Sequence, residues 1–185
     1  MSREGSHHIT ITDLLDGLSV IPRGLDELAV VRDLVEDSRL AGPGTIFLAR
    51  QGETVDGRDF IQQAESAGAS IVLSDPEGCA RCSGPSLECD DPVAVAAELA
   101  HRIHGRPGDR LKLVGITGTN GKTTTASILR HLLSRPGSPC GLVGGVDIHD
   151  GREWTEASLT TPQAPDLCRS LGRMVRNGCA CAVME

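Results

Sequence analysis

Apolar residues along this chain gather into short unbroken runs separated by helix-length stretches, and that rhythm sets the expected architecture. Thr45-Ile46-Phe47-Leu48-Ala49, after a Gly-Pro-Gly turn, predicts a strand, and Ser70-Ile71-Val72-Leu73 predicts a second. Between them, residues 58–67 set Phe60, Ile61 and Ala64 on one helical face and stop at Gly68. Residues 12–15 predict a short helical start, and residues 76–85, rich in Gly, Pro, Ser and Cys, read as a loop. Asp91-Pro92 reads as the cap and first position of a helix to about residue 104, with Val95, Leu99 and Ile103 recurring on one face. Arg106-Pro107-Gly108 breaks the chain, and a strand over residues 111–116 follows. A helix to about residue 133 is stopped by Pro136-Gly137. Beyond it lie a strand around 141–146, a tight turn at Asp150-Gly151, a helix over 163–176 and a last strand over 180–184. Strands alternating with helices imply a parallel, doubly wound sheet.

The 185 residues suffice for one ordinary domain or two small ones, and the break in pattern puts the expected boundary near residue 90. A small α/β domain over 1–90 would then precede the first part of a doubly wound domain over 91–185. Net charge is −7, with Phe47, Phe60 and Trp154 as the aromatic residues and no tyrosine. Stacking platforms and a basic stripe are both missing, which argues against a nucleic-acid partner. The first fifteen residues lack the apolar run of a signal peptide, and no stretch approaches membrane-spanning length, so a cytoplasmic chain without membrane insertion is expected. Of seven cysteines, Cys79, Cys82 and Cys89 lie close together but lack a fourth ligand at zinc spacing. The odd count fits reduced thiols.

Chemistry concentrates at residues 112–125, KLVGITGTNGKTTT. An apolar strand enters a small-residue turn, and a lysine opens the next helix. Gly118, Thr119, Asn120, Gly121, Lys122, Thr123 and Thr124 would present backbone N–H groups and the positive end of a helix dipole to an anion. Lys122 adds a point charge for terminal phosphates, and the Thr123 hydroxyl is placed for the magnesium that accompanies them. The spacing is G-x-x-G-K-T; Ile116 stands where the commoner G-x-x-x-x-G-K-[ST] pattern has glycine. Strand, glycine pair, Lys-Thr and helix in this order read as a nucleoside-triphosphate site. Glu185 follows the last strand, where a carboxylate at a strand's carboxyl end can hold magnesium.

GTNGKTTT, then LTTP at residues 159–162, then a helix and a strand ending in Met-Glu, resemble the Mur ligases of peptidoglycan synthesis. Within that family the likeness is to the branch that adds the third stem-peptide residue. DSR at residues 37–39, PGTIFLA at 43–49 and the G-x-x-x-DG-x-x-FI-x-x-A-x-x-x-GA pattern over 52–69 agree with it, so the resemblance covers about residues 35–185. It implies a UDP-sugar-binding first domain, a P-loop ATPase domain, ATP and Mg2+ as cofactors, and UDP-N-acetylmuramoyl-dipeptide and an amino acid as substrates. By the same resemblance, Lys122 and Glu185 are catalytic, and Thr123 and Glu185 serve magnesium. Ser38, Glu53, Thr54 and Val55 would contact the UDP-sugar, and Thr160 and Thr161 the muramoyl-dipeptide. Glu36 stands where the family usually has an apolar residue. The family also continues past Met-Glu into V-S-S-H, a carbamylated lysine and an amino-acid-binding domain. None of these is present, so an N-terminal fragment, inactive alone and with its last strand at an open sheet edge, is expected.

Overall fold

The computed structural model describes residues 10–52, 55–157 and 162–185, and the chain divides into two compact units at Ile103/His104. In the first unit five strands form one sheet in the order β1-β5-β4-β3-β2: β1 (Ile21–Arg23), β2 (Asp33–Val35), β3 (Thr45–Ala49), β4 (Ile71–Ser74) and β5 (Ser86–Glu88). All neighbours are parallel except β1 with β5. The unbroken apolar runs of β3 and β4 are explained by cover on both faces. Ile46, Leu48, Ile71 and Leu73 pack with Ile11 and Leu14 of α1 (Ile11–Leu15) and with Ala96 and Leu99 of a later helix. Phe47, Ala49 and Val72 turn the other way, onto Ile61 and Ala64 of α2 (Ile61–Ser66). The period-2 alternation of a strand thus divides two cores.

That later helix moves the boundary. After α3 (Pro76–Cys79), a short helix inside the segment expected to be loop, comes α4 (Pro92–Ile103), whose apolar face lies against β2, β3 and β4. Leu99 is fully buried in this core, and Arg102 donates to the carbonyls of Leu14 and Asp16 at 3.0 and 2.6 Å. The expected boundary near residue 90 therefore shifts to 103/104, because this helix completes the first sheet.

The second unit opens with α5 (Pro107–Arg110) and carries the sheet order β6-β10-β7-β8-β9. Its strands are β6 (Lys112–Gly115), β7 (Cys140–Val143), β8 (Asp147–His149), β9 (Trp154–Glu156) and β10 (Cys181–Met184). β6, β10 and β7 are parallel, while β8 and β9 form an antiparallel hairpin at one side, so the sheet is mixed rather than wholly parallel. Helix α6 (Lys122–Leu133) covers one face through Ala126, against Cys140, Leu142 and Val183. Helix α7 (Ala164–Arg176) covers the other through Leu171 and Met174, against Val143 and Ala182. β10 lies inside the sheet, second in the order and bonded on both sides. The expected open edge belongs instead to β6, where Leu113 is 45% exposed.

Truncating Leu99 to alanine should cost about 2–5 kcal/mol of stability, as for other fully buried leucines. Hydrogen exchange should then rise in β3 and β4 while β7 and β10 keep their protection. Equal loss in both sheets would contradict the placement of α4.

Candidate functional site

Three parallel strands deliver one cluster of groups at their carboxyl ends, where ligands of open α/β sheets bind. Met184 of β10 is in register with Gly115 of β6 on one side and Val143 of β7 on the other. The Ile116 N–H donates to the Met184 carbonyl at 2.7 Å, and the Glu185 N–H to the Val143 carbonyl at 2.9 Å. These bonds fix Glu185 beside the turn that leaves β6. That turn, residues 116–121, reaches α6 through Gly121, whose φ of 76° is a left-handed conformation that favours glycine. The Gly121 carbonyl accepts the first intrahelical bond, from Thr125 N–H at 2.9 Å, so the N–H groups of Lys122, Thr123 and Thr124 have no acceptor within the helix. Gly118, Thr119, Asn120, Gly121, Thr123 and Thr124 are all exposed. The result is an open cradle of donors at the positive end of a twelve-residue helix.

Two side chains complete it. The Lys122 ammonium donates to the Gly118 carbonyl at 2.9 Å, folding over the turn it follows. The Thr123 hydroxyl donates to Glu185 Oε2 at 3.0 Å, across 62 positions of sequence. Glu185 Oε1 is buried and has no hydrogen-bond partner among the described residues. A carboxylate oxygen short of a partner beside a threonine hydroxyl is the donor set a hard divalent cation takes, and it fits magnesium. Gly144 makes room for this carboxylate, since a Cβ there would lie 2.9 Å from Glu185 Oε1.

In the first unit, Ser38 sits in a 3-10 turn (Ser38–Leu40) capped by the Asp37 side chain. Ser38 is largely buried, and its hydroxyl donates to Gln63 Oε1 at 3.1 Å. It nevertheless lines a cleft of about 540 Å³ together with Glu36, Asp37, Arg39, Phe60 and Gln63. A smaller cleft of about 190 Å³ includes Val55, Arg50, Glu36 and Phe60, so the two share a wall. Glu53, Thr54, Thr160 and Thr161 lie outside the described residues. The structure thus gathers the loop residues with Glu185, and Ser38 with the neighbourhood of Val55.

Sequence reasoning passed over Arg58, treated only as a helix start. Its guanidinium is 7% exposed and meets Asp56 at 2.7 Å, Glu77 at 2.8 Å and Asp75 at 3.2 Å. The signal available was its place directly after Asp56-Gly57. Arg58, through its side-chain and backbone hydrogen bonds, lowers the Asp56 carboxyl to about 2. The fork also ties Asp56 to the helix Pro76–Cys79, because Asp75 caps that helix at Gly78 N–H.

Comparison with known proteins gives two family matches. The Mur ligase middle domain matches residues 116–185, and the Mur ligase family catalytic domain matches residues 34–104. The chain belongs to the Mur ligases. A UDP-N-acetylmuramoyl-L-alanyl-D-glutamate–2,6-diaminopimelate ligase of Streptomyces coelicolor is 39% identical over 178 residues, covering 95% of this chain and 35% of that protein. One from Chlamydia trachomatis serovar D is 38% identical over 175 residues, covering 95% and 36%. Among solved structures, a ligase of the same name superposes with a TM-score of 0.74 at 22% identity, over 96% of this chain and 36% of the other, which shows the shared fold. MurF ligase from Thermotoga maritima, solved in complex with ADP, gives 0.60 at 26% identity over 84% and 32%. This Mur ligase sequence spans about a third of the length of these relatives. Among its described residues no helix is long and apolar enough to cross a membrane.

Because the folded Asp56 carboxyl titrates below its ordinary value of 3.8, its ion pair with Arg58 contributes fully above that pH. The contribution fades as pH falls through about 2. Thermal midpoints measured between pH 5 and 2 should therefore drop more steeply for the parent than for Asp56→Asn. Parallel curves would remove this pair from the acid response.

Proposed function

We propose that the chain supplies the sugar-nucleotide-binding and ATP-binding parts of the ligase that adds the third amino acid to UDP-N-acetylmuramoyl-L-Ala-D-Glu. The observation that carries the reading is the cradle of residues 118–124 with Thr123 bonded to Glu185 at 3.0 Å. In the reaction, the γ-phosphoryl of ATP passes to the D-glutamate carboxylate and ADP leaves. The amine of the incoming amino acid then attacks the carbonyl carbon, phosphate departs, and an amide remains after loss of a proton. The first step is needed because a carboxylate is a poor electrophile and phosphorylation provides its leaving group. The names of the relatives from Streptomyces and Chlamydia favour 2,6-diaminopimelate as the incoming amino acid.

In this reading the residue roles rest on the family resemblance, supported at residues 118–124 and Glu185 by the cradle described above. The N–H groups of the cradle, Gly118, Thr119, Asn120, Gly121, Lys122, Thr123 and Thr124, bind the ATP phosphates, and Lys122 neutralises charge on the transferring group. Thr123 and Glu185 hold magnesium, which supplies further charge stabilisation when bound. The first unit holds the UDP-sugar through Ser38, Glu53, Thr54 and Val55, while Thr160 and Thr161 take the muramoyl-dipeptide.

Calorimetry on the 185-residue chain tests both halves. Lys122→Ala should weaken MgATP binding at least tenfold, as expected for loss of a charge-assisted contact, while UDP-muramoyl-dipeptide binding stays within twofold. Ser38→Ala should do the reverse. Unchanged ATP affinity without the lysine would remove it from the phosphate site, and an equal loss of both ligands in Ser38→Ala would mean that the serine acts through the fold.

A further inference from the structure

The cysteines of the first unit have no part in the residue roles above. Cys79 ends α3, Cys82 follows one turn later and Cys89 lies just beyond β5; all three are free thiols. No three His, Cys, Asp or Glu side chains among the described residues are grouped to hold a metal ion. Cys79 and Cys89 are 5% and 7% exposed, whereas Cys82 is half-buried. Cys79 Sγ lies 3.4 Å from the Leu87 carbonyl and 3.6 Å from that of Ser74, and Cys82 Sγ lies 3.6 Å from the Gly78 carbonyl. Taken singly, these are ordinary buried thiols packed as small apolar side chains.

Their spacing sets Cys79 and Cys82 apart. The Cys82 N–H donates to the Cys79 carbonyl at 3.2 Å, so one 3-10-type turn joins the two residues. Side chains three apart in such a turn lie one above the other, with Cα atoms about 6 Å apart. A disulfide spans Cα separations of about 4.4–6.8 Å, so a bridge fits the turn as it stands. The two thiols already meet. Cys82 Sγ–H donates to the Cys79 sulfur, which draws the Cys79 thiol below its ordinary 9.0 and holds the Cys82 thiol above it. Cys89 Sγ comes within 4.0 Å of the same Ser74 carbonyl, but it belongs to a separate segment, and burial pushes its thiol up to about 11.

We propose that Cys79 and Cys82 are a redox-active dithiol, a modification site that closes to a disulfide by exchange with small, uncharged or cationic disulfides. Cys82, the more exposed, attacks one sulfur of the small disulfide as its thiolate; that S–S bond breaks and one small thiolate leaves. The Cys79 thiolate then attacks the Cys82 sulfur, the mixed S–S bond breaks, and the second small thiolate leaves. The protons lost by the two cysteines end on the two released thiols, so the protein is oxidised by two electrons and the small disulfide is reduced by two. The preferred charge of the reagent follows from the surroundings. Glu65 Oε1 accepts from the N–H groups of Ser83 and Gly84 beside Cys82, and Arg81, between the cysteines, is already paired with Asp59 and Glu77. A ring closed over residues 79–82 removes little freedom from the unfolded chain, so the bridge is reversible chemistry and no structural staple.

Trypsin provides the readout, because it cuts after Arg81, between the two cysteines. The reduced 185-residue chain is treated with cystamine, quenched in acid, alkylated, unfolded and digested. In the parent, the peptide ending at Arg81 and the one beginning at Cys82 should stay linked, with the mass of two hydrogens lost, and dithiothreitol should separate them. Cys89 lies on the second peptide, so Cys89→Ser, which should keep the link, and Cys82→Ser, which should abolish it, tell the two partners apart. Cys79→Ser should leave a stable cysteamine adduct on Cys82, the intermediate stopped before its second step. Should a serine form fold poorly, fragmentation of the parent's linked peptides places the bridge at Cys82 or Cys89 directly. Parent peptides that separate without reductant, or a bridge that falls on Cys89 or survives Cys82→Ser, would overturn the proposal.

Discussion

The insertion of β10 between β6 and β7 is the constraint on which the rest of the second unit depends. Parallel pairing on both sides fixes the height at which its chain emerges, so the residue after Met184 must appear level with the turn that leaves Gly115. No local preference around Glu185 could place it there. Apolar cover from α6 on one face and α7 on the other makes the register costly to slip, since a shift of one residue would exchange Ala182 and Val183 between two different cores. The site therefore inherits its precision from packing far from its polar atoms.

The first unit uses a different device for the same end. Its cleft residues come partly from strand ends, Glu36 after β2 and Arg50 after β3, and partly from turns, and turns need tethers. Asp37 caps the turn holding Ser38, Ser38 is tied to Gln63 of α2, and Arg58 binds carboxylates from two separate segments. A buried guanidinium with several ionised partners suits this, because its rigid fork makes several bonds at once where an ammonium would act as a point charge. Such tethers place groups more than they add stability, given what charges lose on leaving water.

Much of this was legible beforehand where the pattern was long enough to carry information. Residues 45–49 and 71–74, the helices of twelve residues or more, and the glycine-rich turn before α6 all show their periodicity or spacing directly. β1, β2, β5, β8 and β9 have three residues each, too few for alternation to stand out from chance. Spatial order was a separate matter. Nothing local distinguishes a final strand at a sheet's edge from one inside it, so β10 was expected at an edge. Helix α4 was visible as a helix but assigned to the wrong unit, because its apolar stripe says that it packs without saying on what. Within the sites, Lys122 and Thr123 are announced by their motif. Pairings such as Thr123 with Glu185 and Ser38 with Gln63 arise only when distant segments meet.

Lys122 has a consequence for how an anion enters. In the structure its ammonium already rests on the Gly118 carbonyl, 2.9 Å away. An arriving phosphate must win the lysine from that carbonyl, and so gains the difference between two bonds instead of the whole of one. In return, the lysine swings from a defined starting point beside the cradle, so little freedom is lost when it is recruited. The loop behaves as a latch held closed by one of its own parts, with selectivity for ligands charged strongly enough to open it.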